Sequence, residues 1–112
     1  MITIAEGVEF DTIAREWRFK WSADSDKASL VEAQKALAGI LDEVKGVDGV
    51  KEVQRVVCGG CLDFKVITSL SADTFGAWEA LEFAPEQVFL AKLKGIDGIS
   101  VVETQTYTLM KM

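Results

Sequence analysis

Between Glu16 and Trp21 the chain alternates strictly, with Trp17, Phe19 and Trp21 apolar and Glu16, Arg18 and Lys20 charged. A period of two is the signature of a strand with one face in a core. Ser22 to Asp26 then supplies residue types that start helices. Leu30, Ala33, Leu37, Ile40, Leu41 and Val44 follow at helical spacing on one face, and Gly46 suits a left-handed position that would end the helix. Val50 to Cys58 reads as a second strand. Gly59-Gly60 is a two-residue hairpin signal, because both central positions of a type I′ turn need positive φ. Cys61 to Leu70 is the third strand, with Leu62, Phe64 and Val66 alternating with Asp63, Lys65 and Ile67. A second helix is expected from Ser71 or Asp73, carrying Phe75, Trp78 and Leu81. Pro85 should break it near Ala84 and open a continuation to Leu93. Ile99 to Leu109 is a long last strand.

A repeat supports this division. Lys45-Gly46-Val47-Asp48-Gly49-Val50 returns as Lys94-Gly95-Ile96-Asp97-Gly98-Ile99, each copy after a helical pattern and before a strand pattern. The order is β-α-β-β-α-β, an α+β ferredoxin-like fold: a four-stranded antiparallel sheet with two helices on one face. Residues 15–112 form one domain in this reading. Residues 1–14 are left over as an extra strand or as an arm onto a partner.

With 112 residues the chain has single-domain length, and its apolar fraction of 49% is that of a globular protein. Twelve Lys and Arg against 18 Asp and Glu give a net charge of −6. That sign opposes phosphate backbones and anionic membranes, so neither nucleic acid nor membrane is an expected partner. No secretion signal or membrane-spanning run is evident, and two cysteines beside an adequate core point to a reducing setting, the cytoplasm or, for a mature form, an organelle.

Little catalytic chemistry can be built from these residues. The absence of histidine excludes Ser-His-Asp and Cys-His arrangements. No Gly-rich phosphate loop occurs before a helix. No catalytic residue is singled out, and neither a metal nor another cofactor is expected. Cys58-Gly59-Gly60-Cys61 carries the clearest chemistry. A redox pair would want a helix N-terminus or a cation beside the thiolate, and a metal site would need more ligands than one chain supplies. The third reading is a pair of small residues flanking a turn. Strand-paired Cα atoms about 5.5 Å apart would allow a disulfide.

The same alternation puts Glu16, Arg18, Lys20, Asp63 and Lys65 on the sheet face that no helix covers. Ile67, Tyr107 and Leu109 share that face. It is either solvated, with charges pairing across strands, or it meets a second copy and encloses a polar site.

From Val50 onward the chain resembles the effector-binding domain of the Lrp/AsnC regulators. Gly60-Cys61-Leu62-Asp63 stands where that family has a Gly-x-x-Asp hairpin, followed by Phe64-Lys65-Val66, and Gly98-Ile99 leads to Val102-Glu103-Thr104. The resemblance implies a homodimeric α/β barrel that binds small molecules, often amino acids, at the subunit interface near Gly60–Asp63. Two departures are visible: no helix-turn-helix precedes the domain, and extra residues around Phe83-Ala84-Pro85 interrupt the second helix. The chain also resembles the nucleotide-exchange domain of elongation factor 1 beta. Trp21-Ser22-Ala23-Asp24-Ser25-Asp26 looks like its acidic entry to the first helix, and Lys111 before Met112 matches its penultimate lysine. That likeness implies a GTPase partner contacted by Lys111. The leading expectation is a small-molecule-binding, self-assembling homodimer. The enzymatic alternative is a cofactor-independent monooxygenase or isomerase with Trp17, Trp21, Phe64 and Trp78 around its substrate.

Overall fold

The computed structural model describes residues 1–112. A short hairpin, β1 (Ile2–Ala5) and β2 (Val8–Phe10), precedes β3 (Thr12–Lys20), α1 (Asp24–Lys45), β4 (Val50–Val57) and β5 (Asp63–Ser71). Then come α2 (Ala72–Ala80), α3 (Glu86–Lys94) and β6 (Ser100–Leu109). The last four strands in the chain form one antiparallel sheet in the order β4-β5-β3-β6, separate from the β1–β2 hairpin. This is the ferredoxin-like arrangement expected from the repeat, with β3 and β5 central.

Register explains the faces. Phe19 pairs with Phe64 and Trp17 with Val66, so the apolar sets of both central strands point one way, toward the helices. Ala33, Leu37, Ile40 and Val44 of α1, Phe75 and Trp78 of α2, and Phe89 and Leu93 of α3 close over them. Phe19 stacks on Phe64 at 4.7 Å between ring centroids, and Trp17 lies 5.3 Å from Phe89. Trp17, Trp21, Phe64 and Trp78 are all buried here. The aromatic side chains that could have lined a substrate chamber are core packing.

The repeat is the same backbone device used twice. Val47 N–H donates to the Val44 carbonyl and Ile96 N–H to that of Leu93. Val50 N–H donates to Val47, and Ile99 N–H to Ile96. Gly46 does not take the expected left-handed turn, having φ −82°. The second glycine of each copy does: Gly49 has φ +88° and Gly98 φ +94°. The chain leaves each helix with right-handed geometry and reverses one step later, after tucking Val47 or Ile96 against the core.

Other boundaries moved for local reasons. Ser25, Asp26 and Lys27 adopt left-handed φ values of 54–63°, so the right-handed part of α1 begins at Ala28. The Ser29 hydroxyl fixes this start, accepting from Ser22 N–H at 2.9 Å and donating to the Ser22 carbonyl at 3.1 Å. The Cys58–Cys61 connection is not a two-residue type I′ turn. Neither Gly59 nor Gly60 has a left-handed φ, whereas Leu62 does, at 62°. Both cysteines therefore lie outside β4 and β5, and the loop runs from Cys58 to Leu62. Leu81 does not join the core: α2 stops at Ala80 and Leu81 is exposed. The break before Pro85 occurs as expected, with a cis Ala84–Pro85 bond and α3 starting at Glu86.

That break places Glu86 on the sheet. Its carboxylate accepts from Arg15 Nε and Trp17 Nε1 at 2.9 and 2.7 Å on one oxygen, and from Arg15 Nη2 at 3.0 Å on the other. Arg15 also donates to Thr104 and Thr106 of β6 and lies 4.1 Å from the centroid of the Phe83 ring. A buried charge survives only when paired and hydrogen-bonded, and this set meets that condition while fastening α3 to β3 and β6.

Two stability predictions follow from these placements, both read by chemical denaturation. Gly49→Ala, whose Cβ would fall inside the Thr74 side chain at a left-handed position, should cost about 2 kcal/mol or more. Gly60→Ala, with open space around it, should stay within about 0.5 kcal/mol. Glu86→Ala should cost about 3–5 kcal/mol by leaving Arg15 unpaired, whereas the exposed Glu79→Ala should change little.

Candidate functional site

The uncovered sheet face carries the polar chemistry. Thr12, Ala14, Glu16, Arg18 and Lys20 of β3 share it with Asp63, Lys65 and Ile67 of β5, and with Glu103, Gln105, Tyr107 and Leu109 of β6, as the pairings Arg18–Lys65, Arg18–Glu103 and Ala14–Tyr107 require. Glu16 is central to it. Although no helix covers this face, Glu16 is only 4% exposed. Its carboxylate accepts from Gln105 Nε2 at 2.9 Å and from the Tyr107 hydroxyl at 3.2 Å, with Arg18 Nη1 at 4.0 Å. Neighbouring side chains thus supply the donors that water would otherwise give.

Toward the far end of β3 the sheet is irregular. Arg18 pairs with Glu103 and Lys20 with Ser100, so β6 holds one residue more than β3 over this stretch. Such a bulge bends the strand and re-aims side chains. Val101, inside it, has φ +51°, unusual for a β-branched residue. Beside the bulge is a cleft of about 170 Å³ lined by Arg18, Phe19, Lys20, Asp63, Val101 and Glu103. Arg18 Nη2 donates to Glu103 at 3.1 Å, and Lys20 forms an ion pair with Asp63. Its hydrogen bond and charge interaction with Glu103 raise the Arg18 pKa further above its ordinary value. The Lys20 ammonium holds the Asp63 carboxyl below the usual carboxylate range. Two cations and two carboxylates therefore meet at one cleft.

The structure brings together Glu16 with Arg18, and Lys20 with Asp63. Lys65 shares their face, across from Arg18. The hairpin turn joins the set through Lys20, whose Nζ donates to the Cys61 carbonyl at 2.9 Å. Lys111 lies elsewhere, in the tail beyond β6, where it lines a cleft of about 530 Å³ with residues of the β1–β2 hairpin including Ile4, Val8 and Phe10. The sequence places Tyr107 on this face without a partner and does not assign Glu103 or Gln105 to it. The signal was present, since counting back by twos from Tyr107 reaches both.

On the helix side, the Thr68 hydroxyl is buried with no hydrogen-bond partner, directly across the sheet from Arg15.

No family pattern and no curated protein matches the sequence. Solved structures do match in fold. Rv0793 from Mycobacterium tuberculosis aligns with TM-score 0.62 and 11% identity over 90% of this chain and 97% of its own. A candidate antibiotic biosynthesis monooxygenase from Deinococcus radiodurans aligns with TM-score 0.67 and 14% identity, covering 89% of this chain and 94% of that one. SnoaB from Streptomyces nogalater, a cofactor-independent oxygenase, aligns with TM-score 0.59 and 16% identity over 91% and 96%. At these identities the likeness shows the ferredoxin-like fold. It neither separates nor favours the regulator and exchange-factor resemblances.

The geometry around Glu16 makes a titration prediction. Burial first, then the Glu16 charge and hydrogen bond, push the Tyr107 phenol from 10.0 up to about 12. Between these values the folded chain holds a proton that the unfolded chain has lost, so stability should fall as pH rises from 10 to 12. Tyr107 is the one tyrosine in the chain, so phenolate absorbance reports it alone. Its midpoint should move back toward the ordinary value in Glu16→Gln. A wild-type midpoint equal to that of the variant would refute the arrangement.

Proposed function

We propose that the chain is a self-assembling, small-molecule-binding module: two copies set their uncovered sheet faces together as a homodimeric α/β barrel. The polar site between them is lined by Glu16, Arg18, Lys20, Asp63 and Lys65, with Glu103 added by the bulge. The carrying observation is Glu16, a carboxylate 4% exposed on a face that lacks a covering layer. A solvated face has no reason to gather two donors and a cation around one carboxylate and keep it from water. A face that becomes an interior has such a reason.

The shape supports this reading. The principal extents are 49 × 28 × 18 Å, a slab one helix layer and one sheet layer thick. The radius of gyration is 15.2 Å, against about 13 Å for a compact chain of this length. The accessible surface is 6657 Å², against about 6100 Å² for a monomer of this mass. Apolar side chains lie on the same face, including Val56 and Leu109, both more than a third exposed. The charged cleft is smaller than the usual ligand pocket, as half of a site shared by two copies would be. Its two cations and two carboxylates suit a small polar molecule carrying groups of both signs.

The enzymatic reading has one specific observation in its favour. Arg15, Glu86 and Trp17 form a polar set between sheet and helices, where an apolar core would suffice, and the Thr68 hydroxyl is buried on the same side without a partner. Against it, the aromatic side chains around that set are fully packed. The binding module is the better supported of the two.

Light scattering behind a sizing column should give twice 12.3 kDa, with or without reductant. Arg18→Ala should weaken dimerisation by 2 kcal/mol or more, roughly 30-fold, since it leaves Glu16 and Glu103 without their cation. A monomeric wild type would remove the reading and bring the exchange-factor role of Lys111 forward, testable by nucleotide release from a GTPase. A dimer indifferent to Arg18→Ala would place the interface on another surface.

A further inference from the structure

The Cys58–Cys61 loop holds chemistry that the assembly reading does not use. Its sulfurs are joined, with the Cα atoms 5.5 Å apart. Cys61 is exposed, as are Gly59 and Gly60, and nothing lies within 4 Å of where a Cβ on either glycine would be. The two glycines thus add no side chain to the loop beside the exposed Cys61. Cys58 differs from Cys61: it is half-buried, and its Sγ accepts a hydrogen bond from the Cys61 backbone N–H at 3.0 Å. A donor aimed at one sulfur stabilises negative charge there more than on the other. Lys20 Nζ is held on the Cys61 carbonyl, which ties the loop to the charged face. It comes from β3, a strand distant in sequence.

We propose that Cys58 and Cys61 form a thiol–disulfide exchange site for low-molecular-weight thiols, with Cys58 carrying the thiolate. An incoming thiolate attacks the exposed Cys61 sulfur. The intramolecular S–S bond breaks, a mixed disulfide forms on Cys61, and the electron pair leaves on Cys58, stabilised by the Cys61 N–H. A second small thiolate attacks the small-molecule sulfur of that mixed disulfide and releases the Cys61 thiolate. The balance is one protein disulfide reduced to two thiols and two small thiols oxidised to one small disulfide, their two protons passing to the cysteines. In reverse, a small disulfide oxidises the pair, and Cys58 closes the ring by expelling the small thiol from Cys61.

Cys58 N–H donates to the Asp63 carbonyl at 2.9 Å, Trp21 N–H to the Leu62 carbonyl at 3.0 Å, and Trp21 Nε1 to the Asp63 carbonyl at 3.2 Å. Leu62 is held at a left-handed φ between them. The exchange itself does not depend on the oligomeric reading, because its atoms all belong to one chain.

The test uses the whole chain in glutathione buffers of varied ratio, quenched by alkylation and weighed by mass spectrometry, with circular dichroism to confirm the fold. Free thiols should rise from zero to two per folded chain as reduced glutathione increases, and return to zero with oxidised glutathione. In the single-cysteine variants, Cys61→Ser (retaining Cys58) should react with oxidised glutathione at neutral pH about three-fold faster than Cys58→Ser. The N–H donor at Cys58 favours its thiolate but also lowers its nucleophilicity, so the two effects partly offset and the net advantage is small. A disulfide that opens only in denaturant, or a thiol pair that oxidised glutathione does not close, would overturn the proposal. Equal rates in the two variants would overturn the role of Cys58.

Discussion

A strand in the middle of a two-layer fold must send alternate side chains into the core, and β3 is where that constraint falls hardest. Its odd positions from Ile13 to Phe19 face the helices and its even positions from Thr12 to Lys20 face outward, with neighbours paired on both sides along most of its length. A one-residue slip would put Trp17 and Phe19 on the outer face and Glu16 and Arg18 under the helices. The aromatic core, the Glu86 anchor and the charged outer face are consequences of one register.

The two faces solve the problem of buried charge similarly. On the helix side, Arg15 and Glu86 satisfy each other with help from Trp17, Thr104 and Thr106. On the outer side, Gln105, Tyr107 and Arg18 surround Glu16. The first has an evident structural task, holding α3 to the sheet. The second fastens no helix, and its preparation for a dry setting gives the assembly reading its physical basis. The bulge opposite Phe19 adds a local departure from regular pairing, and the charged cleft opens beside it.

The disulfide loop lies at the end of the same strand. Lys20 reaches both the Cys61 carbonyl and the Asp63 carboxylate, joining the loop to the charged cleft through one side chain.

Much of this was legible in the amino-acid order because it rests on short-range periodicity. Period two in Glu16–Trp21, helical spacing from Leu30 to Val44, the repeated Lys-Gly-Val/Ile-Asp-Gly segment and the break at Pro85 fix element order and the outward set Glu16, Arg18, Lys20, Asp63 and Lys65. These patterns record which side chains must share a face, and a face is a local property of a strand or helix. Tertiary structure decided what depends on atoms distant in sequence: Glu86 on Arg15, Tyr107 and Gln105 on Glu16, and Lys20 beside Cys61. It also decided that Gly49 and Gly98, rather than Gly46, take the left-handed φ, at places where a Cβ would meet Thr74 in one copy and Ser22 and Ser29 in the other. Hydrogen-bond partners and steric limits are set where strands and helices meet, and no one-dimensional pattern contains that meeting.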